Sequence, residues 1–535
     1  MGDMLMDHSD DWDENLDASA MGQAMKPLQP WLEAGQIEVS NTIANLITQI
    51  WAADIRMDSR LVCPGDVFVA IKGVDSNGVN YIDSAIQQGA VAVLVDAVDV
   101  VDIEKAHQQM AANVGVALIA IDQLWDKFPS LLNHWYTEAA QTKLIGITGT
   151  NGKTTISQLI AQLAQQNQQQ VAVIGTLGIG RLGALEPQEN TTPGIADNYR
   201  LLNQFVQDGC EYVAMEVSSQ GLAQGRVSGL DFGCTVFTNL TQDHLDYHGD
   251  LASYTNAKKA LFEQNPTAST ILNIDDPVAL SWFKQWHGQR NMIAVGTYDQ
   301  AFTEGALAGQ HVMFTDAQYT STGLVFNLIS SWGNRHIESP LYGQFNLNNL
   351  VTALAALLSY GLPLDKLVDS VEHLQAVCGR MEQFGHDEKG LVAVVDYAHT
   401  PDALAQALQA LRRHTDGQLW CIFGCGGNRD KTKRPLMGQI AEQYADWVIV
   451  TNDNPRHELA QDIAADIAAG FAQRSSVTVE LDRKKAIAQT LKQAKKGDVI
   501  LIAGKGHETY QVFGDEVVDY DERAYVSQCI QELSV

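Results

Sequence analysis

The chain has 535 residues, 45% of them hydrophobic, and a formal net charge of −29. That length suits about three domains at roughly 150 residues each, and no apolar run reaches the ~18–20 residues of a membrane span. Such acidity excludes binding driven by neutralising nucleic-acid or membrane phosphates, so an anionic ligand needs a local basic site.

Residues 1–40 begin MGDMLMDHSDDWDENLD. This stretch lacks the basic and apolar regions of a secretory signal and reads as an acidic, disordered extension, with Met21 and Met25 as alternative starts. Residues 41–125 carry short strand-like runs (VFVAI, AVAVLVDA, VALIAI) between turns. From 126 to 377, strands and helices alternate as KLIGITGT, GKTTISQLIAQLAQ, VAVIGT, EYVAMEVS and CTVFTNL. From 378 the rhythm repeats as LVAVVDYAH, PDALAQALQALRRH, LWCIFGC, RPLMGQIAEQYA, DWVIVTND and DVILIAGKG. The alternation predicts an α/β protein of three domains with doubly wound, mostly parallel sheets: a small N-terminal domain, a central one and a Rossmann-like C-terminal one. The helical pair around GLP before residue 378 predicts a hinge, and a cleft between the last two domains. The seven cysteines are scattered, and Cys421 and Cys425 have no second pair. They read as core or loop residues in a reducing cytoplasm.

The segment ITGTNGKTT, residues 147–155, follows an apolar strand and opens a helix. Gly149 and Gly152 let backbone N–H groups approach phosphate oxygens at a helix N-terminus. Lys153 reaches the outer phosphates and Thr154 offers a hydroxyl to Mg²⁺. Ile147 stands where the common phosphate loop has glycine. Glu216 ends the run EYVAME, placing a hard carboxylate ligand at a strand end. In TQDHLDYHGD, His244 and His248 are four apart. Taken alone they read equally as a zinc pair or as two solvated histidines.

The combination says more. TGTNGKTT, NTTP (190–193), EVSS (216–219), TNLTQDHLDYHGD, AKKALF (257–262), GQFNLNN (343–349), GRME (379–382), DYAHTPD (396–402), GCGGNRDKTKRPLM (424–437), DNPR (453–456) and AGKGHE (503–508) occur in order. From about residue 40 onward the chain resembles the Mur ligase family, and within it the MurE type, which builds a peptidoglycan precursor in the cytoplasm for cell-wall growth and division. The resemblance implies an ATP-dependent amide ligase. ATP phosphorylates a substrate carboxylate, and an amino acid's amine then attacks the acyl phosphate. Thr148, Gly149, Thr150, Asn151, Gly152, Lys153 and Thr154 are implied for ATP, with Asn349 at adenine, Arg380 at phosphate and Asp396 at ribose. Thr154 and Glu216 are implied to hold one Mg²⁺, and His244 with a carbamylated Lys258 a second, making Lys153, His244 and Lys258 the catalytic set; His248 reads as structural. The UDP-MurNAc-dipeptide is implied to meet Met57, Ser59, Val74, Asp75, Ser76, Asn190, Thr191, Thr192, Ser218, Gln224 and Arg226. GVDS departs from the histidine-containing version of its segment in some members. No nucleic acid or membrane partner is expected, and the chain is expected to be a monomer.

The DNPR form goes with meso-diaminopimelate in this family. This substrate is lysine with an added distal carboxylate, and a guanidinium grips a carboxylate through two parallel charge-assisted bonds while repelling lysine's ammonium. The resemblance thus implies Arg429, Asp453, Asn454, Pro455, Arg456, Gly504 and Glu508 for diaminopimelate, Glu508 being suited to an ammonium. The ordinary alternative pairs Arg456 with a surface acid such as Glu458. Asn428 replaces an aspartate found in many relatives. A lysine-adding relative conflicts with Arg456, and a folylpolyglutamate synthetase would not account for MDSR (57–60) or NTTP. A nucleotide-dependent switch would need none of the acyl-phosphate apparatus.

Overall fold

The computed structural model describes residues 25–39, 41–73, 76–99, 115–241, 243–300, 305, 307–385, 390–473 and 475–534. Two compact units emerge, the first made of the described residues up to Gln141 with Pro193–Asp208 and Gly225–Leu230, the second of the remainder.

In the first unit, strands Ile55–Arg56, Val67–Ala70, Ala92–Asp96 and Ala117–Ile121 pair in parallel in chain order. Helix Leu124–Trp135 belongs to this unit, so its main segment runs to Gln141, past the expected boundary at 125. The expectation of a disordered 1–40 fails for 25–39. Lys26–Pro27 pairs with Trp51–Ala52, and helix Leu28–Ala34 follows, with Leu28, Trp31 and Leu32 buried. Those three residues form one helical stripe. The Trp31 indole N–H donates to the Leu131 carbonyl at 2.7 Å and its ring meets Trp135 edge-on at 5.0 Å.

The second unit holds two larger sheets. Among the described residues the first has eleven strands. Its centre is parallel: Val171–Gly175, Tyr212–Glu216, Lys143–Thr148, Cys234–Phe237, Ser269–Asn273, Met292–Thr297 and Gln310–Thr320 lie side by side in that order. Antiparallel strands extend both edges, Gly178–Arg181 with Ala184–Glu186 at one and Gly323–Ser330 with Arg335–Ser339 at the other. The chain starts at Lys143–Thr148, builds to one side, then crosses to Cys234–Phe237. That reversal leaves a crevice at the carboxyl end of Lys143–Thr148, where ligands of open α/β sheets bind. Helices Lys153–Gln166 and Gln344–Ser359 share the apolar core against this sheet.

The other sheet is parallel across Val392–Asp396, Val499–Ala503, Leu419–Phe423, Trp447–Val450 and Val477–Val479, with Glu382–Gly385 antiparallel at its edge. Parallel neighbours place all their carboxyl ends on one edge. DYAHTPD, GCGGNRD, TNDNPR and AGKGHE therefore emerge together, though they are spread over more than a hundred residues of sequence. Cys421 and Cys425 are buried and free, Cys425 lying against the Met437 sulfur at 3.6 Å. Among the described residues no helix is long and apolar enough to cross a membrane.

Candidate active site

The phosphate loop forms where Lys143–Thr148 ends. Gly149 (φ +143°) faces Thr238 so closely that an added Cβ would lie 1.9 Å from its Oγ1, and Gly152 (φ +90°) likewise faces the Asn349 amide oxygen at 2.6 Å. Helix Lys153–Gln166 follows with no side-chain cap on its first turn, so its N–H groups remain available to an anion. The Lys153 ammonium folds over the loop, donating to the carbonyls of Gly149 (2.9 Å) and Thr150 (2.8 Å). Burial lowers its pKa; Glu216 and Asp243 oppose that shift, and the Arg380 charge adds to it.

Glu216 is buried beneath this loop. Its Oε2 accepts from the hydroxyls of Thr154 (2.9 Å) and Thr176 (3.1 Å), and its Oε1 from the Thr176 N–H (2.9 Å). A Cβ on Gly175 would stand 2.2 Å from that Oε1, so glycine is what lets the carboxylate in. Burial raises the Glu216 pKa, with Lys153 and the threonine donors pulling it back. Thr176 Oγ1 also lies 3.1 Å from the Thr191 hydroxyl. Thr192 is fully buried, its hydroxyl donating to the Glu216 carbonyl and lying 3.1 Å from Ser218 Oγ, which caps helix Ser219–Ala223. These two side chains fix the NTTP and EVSS segments against each other.

Lys258 has 1% of its surface exposed, and its ammonium donates to the Gly149 carbonyl at 2.8 Å above the Tyr254 ring. Burial, then the neighbouring Lys153, push its pKa well below the ordinary lysine value. His244 adopts a left-handed backbone (φ +52°) at the start of helix Leu245–His248, half-exposed, its Nε2 3.6 Å from Asp243. His248 Nε2 lies 3.0 Å from the Ser219 hydroxyl. Among the described residues no three His, Cys, Asp or Glu side chains converge on one metal position.

Asn349 Nδ2 donates to Asn346 Oδ1 at 3.2 Å, turning its own oxygen toward Gly152. Arg380 stacks on the Tyr397 ring at 4.5 Å. Asp396 accepts from the backbone of Met381 and of Ala398, both at 2.8 Å, tying the GRME segment to the strand end. Burial raises its pKa against the pull of Arg380.

At the other end of the same edge, glycines again permit close approach. A Cβ on Gly427 would meet the Pro455 carbonyl at 1.8 Å, and one on Gly504 the Asp453 carboxylate at 2.7 Å. A Cβ on Gly426 would stand 2.9 Å from an Arg456 guanidinium nitrogen and 3.7 Å from the Arg429 Cγ, so both side chains pass this glycine. Arg456 is half-buried, left-handed at φ +50°, and donates to the Gly427 carbonyl at 3.0 Å. It has no carboxylate partner among the described residues. Glu458, the ordinary candidate, is instead taken by Arg434 (2.9 Å), Lys431 (3.0 Å) and the Asn428 N–H. Asn428, left-handed at φ +52°, accepts from the His457 N–H at 3.1 Å and so braces the turn beyond Arg456. The Asn454 amide donates to Glu508 Oε2 at 3.1 Å.

Among the UDP-substrate residues, Met57, Ser59, Ser76 and Arg226 lie in the first unit, while Asn190, Thr191, Thr192, Ser218 and Gln224 lie in the second. Ser59 is buried, Ser76 and Asn190 are exposed, and the Gln224 amide donates to the Tyr247 hydroxyl at 3.0 Å. Val74 and Asp75 lie outside the described residues. Sequence reasoning missed Gly175, Thr176 and Lys505. The first two had no motif around them, whereas Lys505 stood in plain view inside AGKGHE.

The chain matches family models described as Mur ligase family, catalytic domain (residues 53–135), Mur ligase middle domain (147–357) and Mur ligase, glutamate ligase domain (379–506). It is 34% identical to a solved UDP-N-acetylmuramoyl-L-alanyl-D-glutamate–2,6-diaminopimelate ligase, covering 94% of this chain and 99% of that one with a TM-score of 0.70. The chain belongs to the Mur ligase family. The Mur ligase fold extends to more distant structures. A MurF ligase from Thermotoga maritima in complex with ADP is 20% identical, covering 90% of this chain and 96% of that one at a TM-score of 0.57. A Mycobacterium tuberculosis folylpolyglutamate synthase complexed with ADP and AMPPCP is 18% identical, covering 70% and 91% at 0.55. Mur ligases are ATP-dependent amide ligases, and the ITGTNGKTT loop described above lies in the segment matched by the middle-domain model.

Proposed function

We propose that this Mur ligase joins meso-diaminopimelate to the D-glutamyl carboxylate of UDP-MurNAc-L-Ala-D-Glu, in the cytoplasm, as a step of peptidoglycan precursor synthesis. The carrying observation is the Arg456 guanidinium, bonded to the Gly427 carbonyl but to no carboxylate among the described residues, with Arg429 on the facing glycine loop and Glu508 anchored to the same turn. That arrangement offers cations for a distal carboxylate and a carboxylate for an ammonium.

In the first step the γ-phosphoryl group passes from ATP to the D-glutamyl carboxylate oxygen, giving ADP and an acyl phosphate. Positioning and charge neutralisation dominate such a transfer. Lys153, the uncapped helix N-terminus and Arg380 supply the positive field, with Asn349 and Asp396 orienting the nucleoside. In the second step the amine of diaminopimelate attacks the acyl carbon, the C–O bond to phosphate breaks, and the ammonium proton leaves to solvent. The UDP end is assigned to Met57, Ser59, Val74, Asp75 and Ser76, and the sugar-peptide to Asn190, Thr191, Thr192, Ser218, Gln224 and Arg226.

Mg²⁺ fits the residues present. Thr154 Oγ1 and Glu216 Oε2 lie 2.9 Å apart, and two oxygens at ~2.1 Å from one octahedral Mg²⁺ stand about 3 Å apart. A second ion would be held by His244 and Lys258. The lysine serves only as a carbamate, formed when its neutral amine adds to CO₂ and loses a proton; its depressed pKa favours that amine. Bound Mg²⁺ would neutralise phosphate charge. The test is mass spectrometry of the product from ATP, UDP-MurNAc-L-Ala-D-Glu and meso-diaminopimelate. A UDP-MurNAc-tripeptide formed one-to-one with ADP supports the reading, and ADP without tripeptide overturns it.

A further inference from the structure

We propose that Lys505 is the positioning residue that sets the distance between the two charge-recognising groups of the amino-acid pocket, an inference resting on the diaminopimelate reading above. Lys505 has 0% of its surface exposed. Its ammonium donates to Asn454 Oδ1 (3.0 Å) and Glu508 Oε2 (2.7 Å), lies 3.6 Å from Asp453 Oδ1, and sits 5.4 Å from the Tyr510 ring centroid. An ammonium withdrawn from water is costly unless paired. A residue that only filled space would do so at lower cost as methionine.

What the charge does follows from its partners. Asp453 and Glu508 bring two negative charges and Lys505 one positive, so the cluster keeps one net negative charge for a substrate ammonium. Glu508 Oε2 is held twice, by Lys505 and by the Asn454 amide at 3.1 Å, while Oε1 has no partner among the described residues. The carboxylate is thereby fixed with one oxygen free. Asn454 Oδ1 accepts from Lys505 and also from the Val512 N–H at 3.1 Å. Val512 belongs to the strand Tyr510–Phe513, which grips the arginine turn. The Arg456 N–H donates to the Val512 carbonyl (3.0 Å), the Gly514 N–H to the Arg456 carbonyl (2.8 Å), and the Gln511 amide to the Asp453 carbonyl (2.9 Å). One path of hydrogen bonds thus runs from Glu508 through Lys505, Asn454 and Val512 to Arg456. The distal centre of diaminopimelate carries an ammonium and a carboxylate on one carbon. Reading both needs a carboxylate and a guanidinium at a fixed separation, and Lys505 is the brace between them.

The experiment compares wild type, Lys505→Met and Gln511→Ala in steady-state kinetics with each substrate varied in turn, using ADP-induced thermal shift to verify the nucleotide site. Lys505→Met should raise KM for meso-diaminopimelate about 30-fold, the worth of one charge-assisted hydrogen bond, with KM for ATP and the UDP-dipeptide unchanged. Gln511→Ala, at a half-buried site, should raise that same KM about threefold, as loss of one neutral hydrogen bond does. A rise shared by all three substrates in both variants, or no rise in either, overturns the proposal. A wild-type enzyme that ignores meso-diaminopimelate overturns the substrate reading and this proposal with it, a result recognisable before any variant is made.

Discussion

Replacing Arg456 with alanine removes the guanidinium without changing the backbone requirement, since both residues carry a Cβ at the left-handed φ of +50°. The only protein acceptor among the described residues that loses its donor is the Gly427 carbonyl. A hydrogen bond to a charged group contributes about 1.5–3 kcal/mol, and a bidentate pair offers two. Because Arg456 is half-buried and Arg429 remains beside Gly426, we take the lower part of the sum, about 3 kcal/mol, or roughly 10²-fold at ~1.4 kcal/mol per tenfold. The assay is kcat/KM for amino-acid-dependent ADP formation with meso-diaminopimelate and with L-lysine. The variant should lose about 10²-fold with meso-diaminopimelate and nothing with L-lysine, whose ammonium no longer meets a like charge. Equal losses with both would mean that the turn itself has collapsed and that the guanidinium does not select.

Glu458 is held down at about 2 by Arg434, the Asn428 N–H and Lys431, against an ordinary 4.5. Its contribution to stability is therefore present above pH 4.5 and lost as pH falls toward 2; Glu458→Gln should flatten that acid limb of thermal stability, and an unchanged limb would contradict the assignment. Arg483, fully buried, donates to Glu522 and to the carbonyls of Asn452 and Ala503. Arg483→Met strands the Glu522 charge and should cost about 3–5 kcal/mol in urea unfolding, largely recovered by adding Glu522→Leu; no recovery would locate the cost elsewhere. Gly175→Ala pushes a methyl against Glu216 and should lower kcat by about 10-fold or more, the loss of one charge-assisted bond, with KM for the amino acid unmoved; full activity would show that the carboxylate is free to shift.

The parts of the site legible in the sequence are those built by consecutive residues. The phosphate loop needs one strand end, two glycines, a lysine and a helix start, and all lie within ITGTNGKTT. The arginine corner was legible for the same reason, as was the alternation of strands and helices. Contacts made across the fold were not. That Gly175 exists to admit Glu216 depends on two strands lying side by side, and nothing in VAVIGT announces it. Lys505 read as one more lysine until AGKGHE and TNDNPR emerged at the same edge of the sheet, one strand apart. The grip of Tyr510–Phe513 on Arg456 is a pairing between segments about fifty-five residues apart. The acidity of the first twenty residues also masked the apolar stripe Leu28, Trp31, Leu32, whose partners Leu131 and Trp135 lie a hundred residues away.

The most direct test of the account is phosphate release by the wild-type protein with ATP, Mg²⁺ and UDP-MurNAc-L-Ala-D-Glu, run in parallel with meso-diaminopimelate and with L-lysine. The account predicts strong stimulation by meso-diaminopimelate and little by L-lysine. Equal or better use of L-lysine would contradict the role assigned to Arg456.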